Sequence, residues 1–176
     1  MRAFVVFESM FGNTQAIAEA IADGLSSCMD TDIAEVSEAP AAIDDGVALL
    51  VVGGPTHAFG MSRPGTRRSA AEQTEEALVS TGRGLREWLD ALDGDVGHTA
   101  SATFDTHADR PRLPGSAARS AQKRLRRLGF ATAAKAESFY VGGLTGPLLD
   151  GETERARRWG AALGSAVVAS TGRPVT

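Results

Sequence analysis

A short polar loop wedged between an apolar strand and an amphipathic helix constrains this chain more than any other feature. Ala3-Phe4-Val5-Val6-Phe7 is a solid apolar run that stops at Glu8. Ser9-Met10-Phe11-Gly12-Asn13-Thr14 follows, and then Ile17, Ile21 and Leu25 recur four residues apart. The spacing predicts a buried strand, a tight loop and a helix. Such a loop aims backbone N–H groups and a helix N-terminus at one spot, which makes an anion site. It holds no Lys or Arg, so amides and the side chains of Ser9, Asn13 and Thr14 would hold any phosphate there. Gly12 lets the backbone turn or approach closely. The plainer reading is a capped helix start, with Asn13 or Thr14 as N-cap.

The rest of the chain alternates the same two patterns. Asp32 to Val36 alternates polar and apolar residues, as an edge strand does. Val47 to Val52 is continuously apolar, as a central parallel strand should be, and Gly53-Gly54-Pro55 is expected to end it. Residues 60–80 read as a surface segment with one short helix. Leu85, Trp88, Leu89 and Leu92 mark a helix, and His98 to Phe104 a strand of small residues. Ala118, Ala121, Leu125 and Leu128 mark another helix, whose Arg119, Lys123, Arg124, Arg126 and Arg127 read as a solvated face. Ala131 to Tyr140 is a half-polar edge strand with no insertion. Asp150 is placed to cap a last helix, with Trp159, Leu163 and Val167 as its buried stripe. Edge-like second and fifth strands around apolar first and third strands predict a doubly wound, three-layer α/β fold. Its five-stranded parallel sheet has the order 2-1-3-4-5 and forms one domain over residues 1–176.

Composition narrows the function classes. At 176 residues the chain can build a full core, and 43% hydrophobic with 23% charged residues suits a soluble globular protein. A net charge of −4 argues against general nucleic-acid binding. No apolar run approaches the ~20 residues of a membrane span, and Arg2 leads straight into a short strand without a leader. Cys28 is the only cysteine, so no intrachain disulfide forms, and a reducing cytoplasm is the expected location. Three histidines without ligand spacing predict no metal site. A Walker loop, a G-x-G-x-x-G fingerprint and a G-x-S-x-G elbow are all missing, and Val52-Gly53-Gly54 stands where a receiver domain needs its acid.

In this fold a ligand lies outside the C-terminal ends of strands 1, 3 and 4, and those ends carry the distinctive residues. Glu8 to Thr14 resembles the [ST]-x-x-G-x-T phosphate loop of the flavodoxin family, with an aromatic before the glycine as in flavodiiron modules, and the fifth strand without an insertion resembles the family's short-chain form. The resemblance implies that Ser9, Met10, Phe11, Gly12, Asn13 and Thr14 wrap the 5′-phosphate of FMN. Phe11 departs from the Thr of other flavodoxins and removes one hydroxyl. Gly53 to Gly60 is similar to the family's G-x-P-T-x-x-x-G segment. By that resemblance Pro55, Thr56, His57, Ala58, Phe59 and Gly60 line the isoalloxazine ring, with Thr56 placed to reach the phosphate or ribityl chain. After strand 4, Asp105, Thr106 and His107 resemble the family by position only, with His107 standing in for a stacking tyrosine.

The resemblance implies an FMN-binding electron-transfer protein whose partner is a redox protein or a small-molecule acceptor. The alternatives are an FMN-dependent NAD(P)H:quinone-type oxidoreductase and a flavodoxin-like binding module with a vestigial site. No catalytic residue is assigned. Arg63, Arg67, Arg68, Arg110 and Arg112 flank the ring-side loops where related carriers hold acids.

Overall fold

The computed structural model describes residues 1–57, 59–75, 77–93, 98–111 and 114–171. Strand β1 (Arg2–Phe7) leads through the polar loop into helix α1 (Asn13–Leu25). Then follow β2 (Asp30–Glu35), β3 (Val47–Pro55), α2 (Pro64–Ala71), α3 (Leu85–Ala91), β4 (Ala100–Ala108), α4 (Ala117–Arg127), β5 (Ala131–Thr132), β6 (Glu137–Val141) and α5 (Glu152–Thr171). All named strand pairs are parallel, in the order β2-β1-β3-β4-β5, with β6 also on β4.

The two-residue period of a strand explains the layers. Ala3, Val5, Phe7, Leu49 and Val51 pack with Ile17, Ile21 and Leu25 of α1 and Leu163 and Val167 of α5 on one face. Val6, Leu50 and Val52 pack with Leu85, Trp88 and Leu89 of α3 and Ala121 and Leu125 of α4 on the other. The core therefore lies on both sides of the sheet, as continuously apolar strands require.

Several elements differ from the sequence expectation. β3 does not stop at Gly53 but runs on through Pro55. A Cβ on Gly53 would lie 2.1 Å from Phe104 Cζ, so this glycine serves close packing within the strand. β4 likewise continues to Ala108, which puts Asp105, Thr106 and His107 on a strand and not in a loop. The fifth strand is interrupted between Thr132 and Glu137, and both pieces remain on β4. Neither Asn13 nor Thr14 caps α1: Gly12, at φ 85° in the left-handed region, holds the cap position without a side-chain bond. Gly151 stands between Asp150 and α5, so the acid does not precede the helix directly. Trp159 is only partly buried, and Leu128 lies beyond α4 and is exposed.

Candidate functional site

The C-terminal ends of β1, β3, β4 and β6 open into one cavity of about 260 Å³. Ser9, Met10, Phe11, Asn13 and Thr14 form one wall. Pro55, Thr56, His57 and Phe59 follow β3, while Thr106, His107 and Ala108 end β4. Two further walls had no counterpart in the sequence reading: Thr66, Ser69, Ala70 and Gln73 around α2, and Val141, Gly143 and Leu144 after β6. Neither carries a recognisable motif, and only tertiary packing brings them here.

Ser9 organises the first loop from inside. It is fully buried, and its Oγ accepts from the N–H groups of Gly12 at 3.1 Å and Gln15 at 3.2 Å. The N–H groups of Phe11, Asn13 and Thr14 make no hydrogen bond to any described residue, as expected for the first turn of a helix. A Cβ on Gly12 would meet nothing within 4 Å, so its requirement is the positive φ and the space before it is open. Asn13 instead donates to the Thr145 carbonyl at 2.9 Å and ties the loop to the β6–α5 connection.

The Thr14 and Thr106 hydroxyls hydrogen-bond each other at 2.7 Å between α1 and β4. The pair carries two protons and uses one in the mutual bond, so one O–H is left for a ligand. Thr56 is committed elsewhere. Its hydroxyl donates to Asp105 Oδ2 at 3.0 Å and accepts from Ala117 N–H at 2.9 Å, so its proton does not point at a ligand. Asp105 lies behind the cavity, fully buried, and its Oδ2 also accepts from Ser116 at 2.5 Å and Ala118 N–H at 3.0 Å. It holds β4, the Thr56 turn and the start of α4 together.

His57 and Gly60 exchange backbone hydrogen bonds of 2.8 and 2.9 Å across a tight turn. Burial first, then the Arg67 charge, keeps the His57 imidazole below its ordinary pKa, against a hydrogen bond to the Thr66 backbone. The ring is therefore neutral at pH 7. Phe59 sits in this turn at φ 76° with 61% of its surface exposed. Such a conformation is uncommon for a bulky residue and costly, on the order of 1–3 kcal/mol. Ala58 and Arg112 lie outside the described residues.

Arg63, Arg67, Arg68 and Arg110 are not among the described lining residues. Arg67 donates to Ser62 at 2.9 Å and pairs with Glu87 at 3.1 Å. Arg110 is 94% exposed beside Asp109, and Arg63 and Arg68 are exposed. No Asp, Glu, Lys or Arg is among the described lining residues. Glu8 was not singled out in the sequence although it ends the apolar run. It is fully buried, accepts from Ser62 and from Leu85 N–H at 2.7 Å, and burial pushes its carboxyl above the usual range. Among the described residues no group of three or more His, Cys, Asp or Glu is placed to hold a metal ion. None of their helices is long and apolar enough to cross a membrane.

The family model described as Flavodoxin matches residues 5–159. A flavodoxin from the domain Archaea is similar in structure at a TM-score of 0.66 and 18% identity, over 96% of this chain and 99% of that one. Oxidised Flavodoxin 1 from Bacillus cereus gives 0.69 and 19%, over 94% and 98%. The flavodiiron protein from Giardia intestinalis gives 0.60 and 18%, over 98% of this chain but 38% of its own length. A comparison with curated proteins finds no match.

Proposed function

The chain belongs to the flavodoxin family, and from that premise we propose that it holds FMN in this cavity and serves as an electron-transfer protein. The family implies a flavin. The observation that supports FMN in particular is the donor set at the end of β1. Phe11, Asn13 and Thr14, whose amides have no partner among the described residues, line the same cavity as the Thr14–Thr106 pair with its one remaining proton, and that set suits a terminal phosphate. Pro55, Phe59 and Leu144 offer apolar surface for a flat ring. His57, neutral and largely desolvated, adds polarity without charge.

Bound FMN supplies the redox chemistry, and the protein supplies position and surroundings. Ser9 shapes the phosphate loop, Gly12 provides its left-handed turn, and Asp105 locks the β3 and β4 ends into register with α4. Because no charged side chain is among the described lining residues, the ring's surroundings are set by dipoles and apolar walls.

Titration of the apo-protein with FMN and with riboflavin tests this reading. FMN is expected to bind at least about tenfold more tightly, since riboflavin leaves the converging donors without their anion. Equal affinities would refute the phosphate assignment.

A further inference from the structure

Residues 110–136 hold eight of the 18 basic side chains and none of the 22 acidic ones. The remainder of the chain, with ten basic against 22 acidic side chains, is strongly negative. Helix α4 carries most of the excess. Arg119, Lys123, Arg126 and Arg127 recur at three- and four-residue spacing and are exposed, and the last three flank one shallow depression. None of these four makes an ion pair with a described residue, whereas Arg124 pairs with Asp90. The connection after β5 adds the exposed Lys135 and is tied to α4 by Gln122, whose side-chain amide donates to the Ala134 carbonyl at 2.8 Å. On α5, by contrast, Arg155, Arg157 and Arg158 each lie against an acid.

A solvated face does not account for this arrangement. Like charges three and four residues apart weaken a helix. The helix dipole favours Arg126 and Arg127 near the C-terminus but opposes Arg119 in the first turn. We propose that the basic strip along α4 is the docking face for a redox protein with an acidic surface. The redox character of that partner rests on the electron-transfer reading, whereas the docking face does not. The strip starts at the cavity mouth: Ala117 N–H donates to Thr56 Oγ at 2.9 Å, and a Cβ on Gly115 would lie 2.1 Å from the Phe59 carbonyl oxygen. A partner seated on α4 therefore borders the cavity. Arginine forks match carboxylates. The one aromatic side chain in residues 110–136, Phe130, is buried, so the strip offers no stacking platform for single-stranded nucleic acid. The negative remainder of the chain repels an extended polyanion or an anionic membrane, while a compact acidic protein meets the strip alone.

The test uses the FMN-saturated chain, titrated by calorimetry with the soluble haem domain of cytochrome b5, which is acidic, and with cytochrome c, which is basic. The acidic domain is expected to bind at about 20 mM salt and to weaken at least about tenfold at about 200 mM. Hydrogen exchange of the complex should show protection over α4. A triple variant of exposed residues, Arg119→Gln with Lys123→Gln and Arg127→Gln, should lose at least about tenfold in affinity. Arg158→Gln on α5, whose arginine already has an acid, should lose none. No binding of the acidic domain, equal binding of cytochrome c, protection elsewhere, an unaffected triple variant, or tighter binding of a single-stranded oligonucleotide or of phosphatidylglycerol vesicles would each overturn the docking face and leave the FMN reading standing. A chain that takes up no FMN yet docks the acidic domain over α4 would overturn the electron-transfer reading and keep only the acidic docking face.

Discussion

Replacing the Thr14–Thr106 hydroxyl pair by valine is expected to act in opposite senses on stability and on cofactor binding. Each single variant, Thr14→Val or Thr106→Val, leaves the other hydroxyl buried without its 2.7 Å partner. Such an orphan costs about 1–3 kcal/mol, whereas replacing both partners by apolar groups of the same shape is nearly neutral. Apo-protein stability should therefore fall in both singles and recover in the double variant. FMN affinity should follow the reverse pattern. The pair holds one free proton, and each single variant still retains one hydroxyl to donate it. Only the double variant removes the donor, and a hydrogen bond to a charged group is worth about 1.5–3 kcal/mol, or about tenfold to a hundredfold in Kd. Urea denaturation of the four apo-proteins and fluorescence titration with FMN measure the two cycles, with riboflavin as the control that the double variant should bind unchanged. Affinity losses that simply add, or a double variant that binds FMN normally, would refute the shared-proton argument.

Three further outcomes are expected. The raised pKa of Glu8, caused first by burial, means that the fold favours its protonated form. The stability this contributes is complete below the ordinary carboxylate value of ~4.3 and is lost as pH rises through the folded value. Melting temperatures of Glu8→Gln should thus gain on wild type as pH increases, and parallel profiles would exclude the effect. Gly53→Ala places a methyl 2.1 Å from Phe104 Cζ and should cost about 1–3 kcal/mol by overpacking. Phe104→Leu should recover part of that loss in urea denaturation, and strict additivity would count against the contact. Phe59→Asn keeps a residue tolerant of φ 76° while removing the ring. Stability should hold or rise while bound-flavin fluorescence changes, and unaltered fluorescence would remove Phe59 from the flavin wall.

The layered parallel sheet and its order were readable before any coordinate was known. Those follow from local pattern: the apolar runs at Ala3–Phe7 and Val47–Val52, the four-residue spacing of Ile17, Ile21 and Leu25, and the half-polar edges. The polar loop between β1 and α1 was legible for the same reason, since strand, turn glycine and helix start are contiguous in the chain. The partner of each polar group, by contrast, was set by packing between elements distant in the chain. Thr56 and Asp105 stand at the right strand ends, yet they face each other and α4 across 49 residues of chain. Gly53 looks like a strand terminator until Phe104 is seen lying against it. Ser80 and Ser9, 71 residues apart, tie the segment after α2 to the loop, and no local pattern encodes that bond. Side-chain periodicity reports which face a residue takes relative to its neighbours in sequence. Hydrogen-bond partnership depends on which donor is nearest in space once the sheet and its helices are packed.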